Sequence, residues 1–362
     1  MKNTYLLFFS IVLLACSKSK EHAPTSQFTI VKHDNYSVLR VNEAWKDCPH
    51  RFTYILGRDS SLVADSLQKY PFIKTPIQSG IYLSSTTIAF AEELNALETI
   101  KGIDDKNLLI NDSLQKECIN KNIIEVGGLE KLNIEQVLAL KPDAIFTYAV
   151  RENKSLSKLN EAGIPVVYVT EFLAKDPLSR AEWIKFMACF YEKETLAHQI
   201  FEQITADYNE LVHKEKPHDS TTILVSRAFG ENWFVPGGNS YIATMIKQAG
   251  GKYAYQNIDD HGSVPRSFEN VLTEASQSDI WLCNSLNWHQ LSDISDDNEL
   301  YTGLDAFKRK MVFNNNKRQK PNGGNDYYSS AVVHPEILLK DYITLLTQPS
   351  SDSSLTYFKK LD

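Results

Sequence analysis

The chain has 362 residues, 43% of them hydrophobic, which is enough for two α/β domains with real cores. Its 38 Lys and Arg stand against 45 Asp and Glu with no basic block, so nucleic acid is not the expected partner. Five cysteines without a CxxC pair make no zinc knuckle.

Lys2 and the apolar runs 5–9 and 11–15 form a secretory signal, too short to remain as a membrane span. Ala15 directly before Cys16 resembles the lipobox of bacterial lipoproteins. That resemblance implies that residues 1–16 are a lipoprotein signal peptide in which Cys16 takes the lipid and becomes the mature N-terminus. The protein would then be a periplasmic or otherwise extracytoplasmic lipoprotein held to a membrane. Ordinary cleavage near Ala15, without lipid, is the alternative. Polar residues 17–26 suit a tether. Strand-type runs at 37–41 and 52–56, with Pro49 in the loop between, read as a hairpin. Residues 17–60 are therefore expected to be tether and N-terminal β-hairpin extension.

The N-terminal lobe is assigned to 61–191. A strand at 76–83 runs into Ser84-Ser85-Thr86-Thr87, which opens a helix at 88–97. Those hydroxyls read equally as helix caps and as ligand contacts at a strand end. Strands at 123–126, 144–148 and 165–169 alternate with helices at 134–140, 156–162 and 177–191. The connecting helix, 192–216, follows. Set at about 100° per residue, Ala197, Ile200, Phe201, Ile204, Tyr208, Leu211 and Val212 fall on one stripe. It is a rod of about 30 Å. Beyond it, 217–349 repeats the pattern: strands at 222–226, 280–282 and 311–313, and helices at 241–249, 268–275, 300–309 and 335–346. Residues 350–362 are left as a tail. The predicted fold is α/β: two Rossmann-like lobes with parallel sheets, joined by one long rigid α-helix.

At Asn133-Ile134-Glu135-Gln136-Val137-Leu138-Ala139-Leu140-Lys141-Pro142-Asp143 the chain resembles the substrate-binding proteins of ABC importers for siderophores, haem and cobalamin. The runs 159–167, 249–251 and the second Glu269 agree with that family. Gly323-Gly324-Asn325-Asp326-Tyr327 and the run 335–341 are similar to a subgroup common in Bacteroidetes. In that subgroup an aromatic residue is followed by Glu where this chain has Tyr328-Ser329. The resemblance implies a non-enzymatic component of an ABC importer, without a cofactor and monomeric. It would deliver its ligand to a permease dimer driven by an ATPase. Glu135 and Glu269, one on the outer face of each lobe, would pair with permease arginines. As first-turn glutamates, both also suit the helix dipole alone.

The expected ligand lies between the lobes. Contacts are assigned to Ser85, Thr86, Tyr148 and Arg151 of the first lobe. Arg227, Phe229, Trp233, Arg266, Asp326 and Tyr327 are assigned from the second, with Trp288 and Tyr328 nearby. Aromatic rings interleaved with Arg suit a large, partly anionic chelate, an iron(III)-siderophore type first and a corrinoid or haem second. No His/Asp/Glu cluster points to a bare metal ion, although His261 and His289 are present. A secreted enzyme is the other class, but GxSxG, HExxH and P-loop motifs are all absent; Ser226, Asp326 and His334 are the residues a triad would need. Pairing among Cys48, Cys118, Cys189 and Cys283 stays open.

Overall fold

The computed structural model describes residues 27–214, 221–349 and 352–362; the signal peptide, Cys16 and the tether to residue 26 lie outside these. The expected hairpin is present as β2 (Tyr36–Val41) and β3 (Phe52–Gly57), antiparallel, with Tyr36 opposite Gly57. It is the centre of a larger element. β1 (Phe28–Lys32) adds antiparallel to β2, and β4 (Phe72–Lys74) adds parallel to β3, so the extension runs well past residue 60. Side chains alternate across it. Leu39, Tyr54 and Leu56 join the first lobe's core, while Val38 and Ile55 pack with Val63 on the other face.

The first lobe is an all-parallel sheet of β5 (Gly80–Tyr82), β6 (Ile100–Ile103), β7 (Ile124–Glu125), β8 (Ala144–Thr147) and β9 (Val166–Tyr168), in the order β7-β6-β5-β8-β9. The chain order reverses between β5 and β8, and ligands of open α/β sheets bind at such a reversal, beyond the strand C-termini. The second lobe contains β10 (Thr222–Val225), β11 (Ala228–Phe229), β12 (Asn232–Pro236), β13 (Lys252–Tyr253), β14 (Ser263–Ser267), β15 (Ile280–Cys283), β16 (Val312–Asn314) and β17 (Lys359–Lys360). Its main sheet is ordered β13-β10-β15-β16-β17, and β11-β12-β14 form a separate antiparallel sheet. All four residues of β8 and all four of β15 are buried, as covered parallel strands require.

The rod is one uninterrupted helix, Glu194–His213. Its Ala197 and Ile204 lie in the first lobe's core and its Tyr208 in the second's. One helix is thus built into both cores. A second connection was not expected. After β16 the chain crosses back, and Val332 and Val333, on the helix Ser330–Val333, are buried in the first lobe's core. Gly324 makes this strap possible: a Cβ there would meet the Leu109 and Leu108 carbonyls at 2.8 and 2.9 Å. Lys320 adds an ion pair to Asp112 at 2.8 Å.

Elsewhere the pattern was harder to read. The helix expected at 177–191 is two, Pro177–Ala181 and Trp183–Ala188, parted at Glu182; the second piece buries every residue but Lys185, so its apolar pattern gives no narrow stripe to mark the break. The expected helix at 300–309 is a 3-10 turn, Glu299–Gly303, followed by one helical turn, Asp305–Lys308. The segment read as a tail is part of the second lobe. The buried Asp341 carboxylate accepts the Thr356 and Tyr357 amides at 2.7 and 2.6 Å, and Tyr357, Phe358 and Leu361 enter the core. Cys48, Cys118, Cys189 and Cys283 are all free thiols. Among the described residues no helix is long and apolar enough to cross a membrane.

Candidate functional site

A cavity of about 380 Å³ lies between the lobes. The first lobe reaches it from strand C-termini: Ser84, Ser85 and Thr86 after β5, Tyr148 and Val150 after β8, and Glu171 and Phe172 after β9. The reversal point between β5 and β8 therefore opens into it. The second lobe supplies Tyr241, at the start of the helix Tyr241–Gln248, with Tyr327 and Tyr328 from the strap. Tyr148 meets Phe172 edge-on at 6.3 Å, and Tyr327 meets Tyr328 edge-on at 5.3 Å. Burial raises the phenols of Tyr148, Tyr327 and Tyr328, so they act as neutral hydrogen-bonding groups on apolar rings.

Two charged residues line this cavity, and the sequence reading named neither. Arg180 sits on the short helix Pro177–Ala181, which Asp176 caps through the Ser179 amide (2.9 Å) and Pro177 starts. Its side chain is 12% exposed and its guanidinium lies 4.2 Å from the centre of the Tyr241 ring. Nη2 donates to Glu171 Oε1 over a long 3.4 Å, and the buried Nε has no partner. Burial pushes the Glu171 carboxyl up, and Arg180 opposes the rise. A cation that is nearly buried, half-paired and facing a cavity is a site for an anionic group. No strand-end signal marked Arg180 in the sequence, because it precedes an apolar helix.

Ser85 and Thr86 do line the cavity, but their hydroxyls are engaged, donating to the Tyr328 carbonyl at 3.2 and 3.0 Å. Ser84 caps the helix Ser85–Glu93 through the Thr86 amide. Ser329 donates to the Ser85 carbonyl at 3.3 Å, so this cluster joins strap to lobe. Tyr148 and Tyr327 lie where expected. Arg227 and Phe229 do not line this cavity; they sit at the second lobe's own reversal, between β10 and β15. There the Arg227 guanidinium stacks 4.1 Å from Phe229 and 5.4 Å from Trp288, and its Nε has no partner. Phe229 is 55% exposed.

Four assigned contacts are placed elsewhere. Trp233 is fully buried, its indole N–H donating to the Val225 carbonyl, because β12 turns its odd-numbered side chains into the core. Arg266 is paired across from Trp233 on β14 and faces Glu274 (4.0 Å) and Tyr255. Arg151 points to solvent with Glu130 at 3.4 Å. Asp326 is buried under the strap, bound to Arg318 at 3.0 Å and to the Ser330 amide. It is not available to a triad, nor is His334, whose ring nitrogens bind Glu93 and Glu336. Among the described residues no group of His, Cys, Asp and Glu could hold a metal ion.

Glu135 and Glu269 occupy equivalent places. Each is second in a seven-residue helix, after the caps Asn133 and Ser267, and each is exposed. Both helices lead back to the start of a central strand, β8 or β15. They therefore begin on the strand C-terminal edge, the edge that carries the cleft, and not on faces remote from it.

Residues 81–318 match the profile of the family described as Periplasmic binding protein. An uncharacterized lipoprotein of Methanocaldococcus jannaschii is 28% identical over 301 residues, covering 80% of this chain and 70% of that protein. Among solved structures, a periplasmic haem binding protein from Pseudomonas aeruginosa is similar with a TM-score of 0.60 at 15% identity, over 79% of this chain and 98% of that one. The molybdate-binding protein MolA of Haemophilus influenzae, solved with molybdate, gives 0.57 at 19%, over 80% and 92%. At these identities the two structures share the fold with this chain.

Proposed function

The chain belongs to the Periplasmic binding protein family, and from that premise we propose that it is the substrate-binding component of an ABC importer, capturing an anionic metal chelate of the iron(III)-siderophore type. The observation that carries the ligand reading is Arg180, a nearly buried cation with a free Nε in an inter-lobe cavity walled by tyrosines. Guanidinium binds carboxylate or catecholate oxygen, and the rings cover the apolar faces of the ligand. A volume of about 380 Å³ lies at the low end for small-molecule sites, which favours a compact chelate or one arm of a larger one. A corrinoid or haem is the second reading, favoured by the five aromatic rings of the wall.

Delivery would use Glu135 and Glu269, one carboxylate per lobe on the edge that carries the cleft, each offered to an arginine of a two-fold permease. Relatives named as lipoproteins and periplasmic binding proteins support an extracytoplasmic location, and the anchor would be Cys16.

The test is calorimetry of wild type, Arg180→Lys and Arg180→Ala against a hexadentate ferric tris-catecholate, cyanocobalamin and haem. Wild type should bind the catecholate. Arg180→Ala should bind it roughly ten- to a hundred-fold more weakly, losing a charge-assisted bond, with Lys intermediate. Tight binding of cyanocobalamin or haem with the ferric chelate ignored would replace the ligand and leave the class intact.

A further inference from the structure

Glu171 and Arg180 are the two charged side chains that line the cavity, and their charges cancel. At 3.4 Å their contact is longer than the 2.7–2.9 Å or so of a good charge-assisted bond. The guanidinium leans on Tyr241 instead. Neither side chain is well hydrated, Glu171 at 9% and Arg180 at 12% exposure. An anion seated on Arg180 would leave the site with one uncompensated negative charge beside it, which a dry site does not tolerate.

We propose that ligand capture is coupled to proton uptake: as the ligand's anionic group takes Arg180, Glu171 binds one proton from solvent. An O–H bond forms on its carboxylate, the buffer loses that proton, and the one ligand oxyanion seated on Arg180 is balanced by the guanidinium charge that Glu171 gives up. This rests on the anionic-ligand reading of the same cavity.

Among the residues that line the cavity no other carboxyl is present; Asp104, just after β6 and beside Tyr148, is pushed up to about 6 by burial and is told apart from Glu171 by the Glu171→Gln variant. Tyr241 from the helix Tyr241–Gln248, Tyr327 and Tyr328 from the strap, and Tyr148 from the loop after β8 are phenols. The helices Ser85–Glu93 and Ser330–Val333 face the cavity with hydroxyls and apolar groups only, and Pro335–Thr347 faces it with Leu338. On Arg180's own element Asp176 is engaged in capping, and the following Glu182 pairs with Lys185 at 3.0 Å. His334, Glu93 and Glu336 are bound to one another. Glu171 is already pushed up by burial, with Arg180 holding it down. Giving Arg180 to the ligand removes that restraint.

The experiment is calorimetry of the intact protein in buffers of different ionisation enthalpy, with the ferric tris-catecholate as anionic probe and a neutral ferric tris-hydroxamate as control. The catecholate should take up close to one proton on binding. Its affinity should rise as pH falls, by up to about tenfold per unit over the range in which Glu171 is ionised before binding and protonated after it. The hydroxamate should show neither effect. Glu171→Gln should bind the catecholate with no proton uptake and a flat pH profile. Its fold is checked by thermal unfolding, and the wild-type buffer comparison stands without it. Catecholate bound with no proton taken up, or uptake retained in Glu171→Gln, would overturn the coupling alone. If neither chelate binds, the ligand reading falls and the coupling falls with it.

Discussion

His334 should make stability depend on pH in the alkaline range, where few side chains titrate. Its Nδ1 lies 2.9 Å from Glu336 and its Nε2 3.0 Å from Glu93, at the end of the first lobe's helix Ser85–Glu93. Burial alone would lower the imidazole pKa, but the hydrogen bonds to Glu336 and Glu93 outweigh it and push it up to about 10. The unfolded value is about 6.5. A raised pKa stabilises the fold fully below the unfolded value, and that contribution is lost as pH rises toward about 10. Between the two, unfolding releases a proton and stability falls by at most about 1.4 kcal/mol per pH unit. His334 is 22% exposed and Glu93 34%, so screening trims this, leaving about 2 kcal/mol lost between about pH 7 and 9. Urea unfolding at several pH values, for wild type and His334→Gln, measures it. The wild-type advantage should shrink steadily across that window, and Glu93→Gln should remove most of it. A constant difference between wild type and His334→Gln from neutral to alkaline pH would show that the imidazole is not a bridging cation.

Trp233→Ala should destabilise the protein by about 3–5 kcal/mol in denaturant titration and leave the affinity of the folded fraction unchanged, since the ring is core. The double change Glu135→Ala with Glu269→Ala should bind chelate normally. It should weaken docking by roughly one to four powers of ten, read as lost stimulation of the transporter's ATPase. Cys16→Ser should shift the protein from the membrane fraction to the soluble one, and unchanged membrane association would remove the lipid anchor from the account.

The sequence made the large periodic elements plain, and the reason is physical. The rod's stripe is long enough to fix its period, and parallel strands such as Ala144–Thr147 are apolar throughout because both faces are covered. The residues at strand C-termini, Ser84 to Thr86 and Tyr148, were legible for the same reason. Arg180 was not. Its role depends on a helix break at Glu182 and on Tyr241 arriving from sixty-one positions later, and neither leaves a local mark. Trp233 misled in the opposite direction: an aromatic beside an Arg-bearing strand end looks like a ligand wall, and only β-register shows which way it faces. The Gly323-to-Tyr328 motif read as a ligand contact. Its Asp326 and the Ser329 that follows the motif hold the strap, while Tyr327 and Tyr328 line the cavity.

That strap bears on how the lobes move. A two-lobed clamp joined by a rod alone could flex at the rod's ends. Here Val332 and Val333 are also buried in the opposite lobe, and fully exposing them costs about 1.5–3 kcal/mol each. The Tyr328 carbonyl must also lose two hydroxyl donors and Glu93 its imidazolium partner. At 1.4 kcal/mol per factor of ten, separation on the scale that frees both valines has a population below about one in a hundred. The cleft is therefore preformed, and ligand entry is a matter of side chains at its mouth, where Tyr148 and Val150 are exposed. The same bonds oppose release. A permease docked as proposed would hold one lobe through Glu135 and the other through Glu269, both on the edge where the cleft opens. Parting lobes held at those two points must break the strap's contacts as well as bend the rod, so the bonds at the Tyr328 carbonyl and His334 add to the resistance to opening.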